Sequence, residues 1–381
     1  MRRYLVGLLL GLGLGGTALA QTNPASASWT DAITLKGDLR YREESIVDES
    51  SANPDGDAYT RERQRIRARL TAEAKCNANL KAGIGLSTGS ADPVSGNQTL
   101  TDGASKKVMA LDVAYFDYSL FGEKPDEVHL LAGKMNNPLT TFPDDLLWDG
   151  DLRPEGLAVR GQMTRGPVTL MANGAYEWLL ERKDRGDAVL WAGQAAVKIR
   201  LQPEVAFTLG GTYCDYRNLQ GGDVIDWEGK NNAYGNSTVE HGSNRAWATG
   251  FRPTVYALQA DLWLFRTPIG LYVQGVTNPE ADAFDQGHMY GITIGKAKNP
   301  RTWEINYTYT ELQKDAVPGL FTDSDRWGGG TDGKGSKVVA KVQVMKNFQA
   351  GVSYFIDEKK ISDAAKTKDY TRLQVDLLAS F

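Results

Sequence analysis

The 381 residues are 41% apolar and 24% charged, with 41 glycines, and 43 basic against 47 acidic side chains leave a formal net charge of −4. So even a balance gives no ground for wholesale nucleic-acid binding, and two cysteines with three histidines cannot build a disulfide scaffold or a multi-ligand His/Cys metal site. Mean hydropathy is −0.39, that of an ordinary water-soluble protein, but the order of the residues points elsewhere.

The chain opens with Arg2 and Arg3, an apolar run from Leu5 to Gly16, and the small-residue stretch Ala18-Leu19-Ala20. This pattern predicts a secretory signal peptide over residues 1–20 and a mature chain from Gln21. The run is too short for a spanning helix, which needs roughly 20 apolar residues. Residues 21–30 then read as a periplasmic N-terminal segment, and a barrel is expected over 31–381.

From residue 31 the apolar pattern has period two. Ile66, Ala68, Leu70, Ala72 and Ala74 alternate with Arg65, Arg67, Arg69, Thr71 and Glu73. Trp303, Ile305, Tyr307 and Tyr309 do the same, as do Val338, Ala340, Val342 and Val344, then Phe348, Ala350, Val352, Tyr354 and Ile356. At the end, Leu373, Val375, Leu377, Ala379 and Phe381 alternate with Arg372, Gln374, Asp376, Leu378 and Ser380. Successive side chains of a strand point to opposite faces, so each segment has one oily and one wet side.

About sixteen such segments are predicted, centred near residues 38, 69, 84, 114, 131, 160, 173, 194, 209, 260, 272, 291, 306, 341, 352 and 375. Most reach the ~9–11 tilted residues that cross a bilayer. Short connections fall near Asn77, Glu123, Gly166, Pro203, Thr267, Asn299 and Asn347. Long polar ones alternate with them, at 47–60, 89–106, 136–155, 181–187, 217–253, 278–286, 311–336 and 358–369. A soluble propeller, β-helix or sandwich has no reason to put every long loop at one end. An all-β transmembrane antiparallel barrel does, with short periplasmic turns and long extracellular loops. Trp303 and Tyr309 at opposite ends of one segment, with Tyr256, Tyr290 and Tyr354 near outer ends, fit aromatic girdles at the two headgroup levels.

Arg61, Arg63, Arg65, Arg67 and Arg69 share one face of the second segment, and Lys36, Arg40 and Arg42 share the wet face of the first with Asp38 and Glu44. Same-face neighbours lie about 7 Å apart, so each adjacent Arg pair repels by roughly 0.6 kcal/mol even at bulk-water dielectric. Counter-charge must face this wall. Sixteen strands leave an aqueous channel, and these residues would line it.

The alternating final segment ending in Phe381 resembles the recognition strand of Gram-negative outer-membrane barrels. Gly133-Lys134, Trp148-Asp149-Gly150-Asp151 and Pro154-Glu155-Gly156 resemble the "putative porin" family, which is similar to the sixteen-stranded general diffusion porins. The resemblance implies an outer-membrane, water-filled channel for passive diffusion of small hydrophilic solutes and ions. It further implies contact with outer-membrane lipid and lipopolysaccharide, and a homotrimer. In general porins the third loop folds inward opposite an arginine ladder. By that resemblance, residues 136–155 form a constriction loop whose Asp144, Asp145, Asp149, Asp151 and Glu155 face the arginines and set up a transverse field.

No cofactor, metal or catalytic activity is expected. Asp323, Asp325 and Asp332 fail the EF-hand spacing and read as a solvated loop. His129, His241 and His288 are scattered, and no Ser/His/Asp set assembles. Cys76 is expected in a periplasmic turn and Cys214 near an outer strand end, too far apart to bond. The competing functions are a sheath or structural barrel filled by a partner and an outer-membrane hydrolase.

Overall fold

A computed structural model describes residues 32–52, 58–139, 142, 145–183, 185–227, 229 and 232–381. The predicted leader 1–20, the segment 21–30 and Asp144 lie outside the described residues. Besides a two-residue strand at Gln98–Thr99 that pairs with Ala58–Lys75 and a small hairpin of Thr238–His241 with Asn244–Trp247, the described residues form sixteen barrel strands in chain order: β1 Ile33–Ala52, β2 Ala58–Lys75, β3 Leu80–Thr88, β4 Met109–Glu123, β5 Asp126–Lys134, β6 Glu155–Arg165, β7 Val168–Leu180 and β8 Ala188–Gln202. They continue as β9 Val205–Arg217, β10 Thr254–Leu264, β11 Thr267–Thr277, β12 Gln286–Gly295, β13 Trp303–Leu312, β14 Gly333–Met345, β15 Phe348–Lys359 and β16 Lys368–Ser380.

Each strand pairs antiparallel with its sequence neighbours, and β16 pairs with β1 in register Asp38↔Ser380 through Asp48↔Tyr370. The sheet therefore closes on itself and leaves no edge. The seam is tight at the last residue. Gly37 and Phe381 exchange backbone hydrogen bonds of 2.9 and 3.0 Å, and a Cβ on Gly37 would lie 2.5 Å from the Phe381 ring.

Each predicted centre falls inside one of these strands. The connections at one end are short, at 76–79, 124–125, 166–167, 203–204, 265–266, 296–302 and 346–347. The tightest follow hairpin chemistry: Phe265 and Arg266 both take positive φ, 49° and 67°, matching the twist of the strands they join. The other end carries the long connections: L2 89–108, L3 135–154, L4 181–187, L5 218–253, L6 278–285, L7 313–332 and L8 360–367. β1 and β2 reach into the loop expected at 47–60, pairing as one ladder out to Asp48↔Tyr59, so the span between them is shorter than expected. L7 is likewise shorter than 311–336.

The outward faces are apolar, as the alternation requires. Leu373, Val375 and Leu377 of β16, and Val352, Tyr354 and Ile356 of β15, are exposed while their neighbours in sequence turn inward. Tyr213, Tyr256, Tyr290 and Tyr354 ring the long-loop side, and Trp263, Phe265 and Trp303 the opposite side. Rings at both levels match the headgroup preference of aromatic side chains.

The interior departs from a uniformly wet lining. Leu190, Cys214 and Tyr216 on β8 and β9, with Tyr272, Val276 and Met289 on β11 and β12, form a buried apolar cluster. They are covered by Leu146, Leu147 and Trp148 of L3, Leu219, Trp247 and Phe251 of L5, and Val317, Leu320 and Trp327 of L7. Burial of apolar surface is what draws these three loops into the outer half of the barrel. Asn236 of L5 ties them further, donating to the carbonyls of Lys314 and Val317 at 2.7 and 2.8 Å. Gly333 opens β14 just where the Trp327 ring lies over it; a Cβ there would sit 2.2 Å from Cδ2.

Candidate functional site

The β1–β2 register puts Asp38 opposite Arg69, Arg40 opposite Arg67, Arg42 opposite Arg65 and Glu44 opposite Arg63. All turn to the interior, while Leu39, Tyr41 and Leu70 stand outward and exposed. On the other flank of β1, β16 adds Arg372, Gln374 and Asp376. Three adjacent strands thus pack their charges on one patch of wall, held by mutual ion pairing.

Asp38 accepts from Arg67 Nη2 at 3.0 Å and from Arg69 Nε at 2.7 Å. Glu44, fully buried, accepts from Arg63 and Arg372 and from Gln374 Nε2 at 3.2 Å. Arg42 grips Asp376 with two parallel bonds, 2.7 and 2.8 Å, and reaches Asp325 of L7 at 3.2 Å. Arg372 donates to Asp325 as well, at 2.8 Å. Lys36 pairs with Glu73 at 2.6 Å near the short-turn end, and Arg61 is exposed near the loop end.

The loop acids divide. Asp151 faces the wall: its Oδ1 accepts from Arg67 and Arg69 at 3.1 and 3.2 Å, and its Oδ2 accepts the Gly96 N–H at 3.3 Å. Burial pushes its carboxyl up, but Arg67, Arg69 and Arg40 outweigh that and hold it below the usual range. Asp145 instead caps its own loop, accepting the Leu147 N–H at 2.7 Å. Glu155 is exposed at the start of β6 and pairs with Lys134 at 2.9 Å. Asp149 turns to L7, accepting the Ser324 N–H at 2.9 Å while its own N–H donates to the Phe321 carbonyl at 2.7 Å. Burial, then the neighbouring Asp323 and Asp151, raise the Asp149 carboxyl well above the ordinary range.

Asp151 thus closes directly onto Arg67 and Arg69. One expectation is corrected here: the Gly-rich loop of Asp323, Asp325 and Asp332 is not solvated. Asp325 is locked between Arg42 and Arg372, whose charges overcome its burial and depress its carboxyl, while burial raises that of Asp323. Asp332 is buried and accepts from Ser362 at 2.7 and 2.9 Å. The missed signal was the apolar content of the loops: Leu320 and Trp327 have no reason to lie in a segment facing water.

Three cavities adjoin this network. One of about 780 Å³ on the short-turn side is lined by Arg40, Lys198, Asp261 and Lys341 among others, and one of about 410 Å³ lies between L3, L7 and the inner faces of β12, β13 and β14. They share Asp323 and Lys337. A third, about 390 Å³, is bounded by Arg69, Ser87, Asp112 and Asp151. Among the described residues no group of His, Cys, Asp and Glu is placed to hold a metal. Cys76 and Cys214 are free, the first exposed in a turn and the second buried in β9.

The sequence profile of the family described as "Putative porin" matches residues 53–224 and 228–381. The chain belongs to this family. This porin is accordingly a β-barrel of the bacterial outer membrane. No curated protein matches it. Among solved structures it is similar to OprB of Pseudomonas putida, at 10% identity and a TM-score of 0.57, covering 92% of this chain and 95% of that one. OmpF of Salmonella typhi superposes at 10% identity and 0.52, covering 93% and 99%. OmpT, an outer-membrane protein of Vibrio cholerae, gives 11% and 0.50 in a loop-deletion form, covering 92% and 100%. At such identities the likeness speaks for the porin's fold alone.

Proposed function

We propose that this porin forms a water-filled path for passive diffusion of small hydrophilic solutes and ions, with its narrowest belt at the β16–β1–β2 wall. In this reading Arg40, Arg42, Arg63, Arg65, Arg67 and Arg69 line the belt from the barrel side. Asp151 of L3 and Asp325 of L7 line it from the loop side, and Lys36 and Arg61 mark its inner and outer approaches. Of the acids expected in L3, Asp145 and Glu155 serve the loop's own structure, and Asp149 fixes L3 to L7.

The observation that carries the reading is a pair of cavities that share Asp323 and Lys337 in their linings, the larger of them rich in charged side chains, inside a closed cylinder of sixteen strands. Cylinders of this size enclose more space than their own side chains fill. Lipopolysaccharide at the outer rim and a trimeric assembly are the partners that accompany this reading. Liposome swelling with uncharged sugars of increasing size tests it. Purified protein should admit the smallest sugars and exclude larger ones progressively; vesicles with folded protein that never swell would contradict it.

A further inference from the structure

Most of the charged belt is internally neutralised, and what is left over identifies a site. Seven arginines (those of β1 and β2 from Arg40 to Arg69, less the exposed Arg61, plus Arg372) meet five carboxylates, Asp38, Glu44, Asp151, Asp325 and Asp376. Five of the arginines have a carboxylate within ion-pair distance. The two without one among the described residues are Arg40 and Arg65. An excess of two positive charges therefore resides on two known side chains.

These two converge. They are diagonal neighbours across the β1–β2 ladder, since Arg40 faces Arg67 and Arg65 faces Arg42; same-face diagonals are about 7–8 Å apart, within reach of long side chains. Both donate to one neutral residue of L2, Arg40 Nη2 to Asn97 Oδ1 at 2.7 Å and Arg65 Nη2 to the Asn97 carbonyl at 3.5 Å. The Nε atoms of both are enclosed and have no hydrogen-bond acceptor among the described residues. An unsatisfied enclosed donor is costly, and the guanidinium fork is the group that matches the two oxygens of a carboxylate or phosphate. Arg40 also lines the large inner cavity, from which a solute can approach.

We propose that Arg40 and Arg65 form an oxyanion subsite in the belt, so that the channel favours anions and briefly holds small solutes bearing a carboxylate or phosphate. The site rests on the pore reading above. Arg67 and Arg69, although at the centre of the arginine wall, have their charge cancelled by Asp38 and Asp151 and set shape rather than selectivity.

The test is the single-channel current of the purified full chain in a planar bilayer. Reversal potential under a potassium chloride gradient reads selectivity, and added inorganic phosphate or acetate reads block. Wild type should prefer chloride and be blocked by both probes, with phosphate stronger if doubly charged oxyanions fit best and acetate equal if one carboxylate suffices. Arg40→Gln/Arg65→Gln should shift the reversal potential toward potassium and weaken block at least tenfold. Arg40→Lys/Arg65→Lys keeps the charge but loses the fork, so it should keep chloride preference and still lose block; it also serves if the glutamine pair fails to fold. Lys366→Gln, in exposed L8, removes a charge outside the belt and should change neither reading. Conductance without anion preference, or block unaltered in both double variants, overturns the site while leaving the pore standing. No conductance from folded wild type overturns both.

Discussion

Glu44 shows how much of the belt depends on single carboxylates. Its side chain is 0% exposed and takes bonds from Arg63 and Arg372, the latter itself 3% exposed. Removing one partner of a buried ion pair leaves the other charged and desolvated, which costs about 3–5 kcal/mol. Glu44→Gln should therefore lower barrel stability by about 3 kcal/mol, toward the lower end because Arg372 keeps Asp325. Urea unfolding in detergent micelles, followed by tryptophan fluorescence, measures it; an unchanged midpoint would refute the network as drawn. The exposed Lys366–Asp363 pair is the counterexample, and breaking it should leave the midpoint where it was. At this scale the sequence was partly legible. Period two placed Arg63–Arg69 and Arg40–Arg42 on a common face, because side-chain direction is a local property. It could not tell which arginine meets which acid, because Arg372 lies 328 residues from Glu44 in the chain and they meet only when the sheet closes.

Among the elements, the loops carry what the strands do not reveal. Sixteen strands were readable from alternation, since a bilayer outside and water inside impose it on every one. The ends of β1 and β2 were not, as their charged residues look like loop until they are seen to pair. Inward folding of L5 and L7 was missed because it depends on apolar strand residues far away in the chain, such as Leu190, which shares one buried cluster with Leu320. The L3–L7 contact has a pH dependence of definite sign. Asp149 has a folded-state carboxyl raised above its ordinary value, so its contribution is full below that value, about pH 4, and is lost as pH rises through the elevated folded one. Asp151 and Asp325 act oppositely, stabilising above the ordinary value and failing only as pH falls through their depressed ones. Raising pH from mildly acid to alkaline should loosen L3 from L7 and speed proteolysis of the loops. Asp149→Asn, which keeps an acceptor without a charge, should flatten the pH dependence of cleavage over that window, leaving only the part due to Asp323. A wild-type profile already flat would remove Asp149 from this role.

For the molecule as a whole, closure is the decisive property. Pairing of β16 with β1 turns an alternating chain into a cylinder with lipid outside, and apolar loop packing fills one side of it while leaving the charged side open to the cavities. The porin family is consistent with this, and the composition alone was not: a mean hydropathy of −0.39 averages an oily outer face with a wet interior and long polar loops. The measurement that tests the account most directly is single-channel recording of the purified, folded protein in a planar bilayer. An aqueous path should give discrete current steps that rise in proportion to salt concentration. Protein that inserts with its strand signature intact yet passes no current would contradict it.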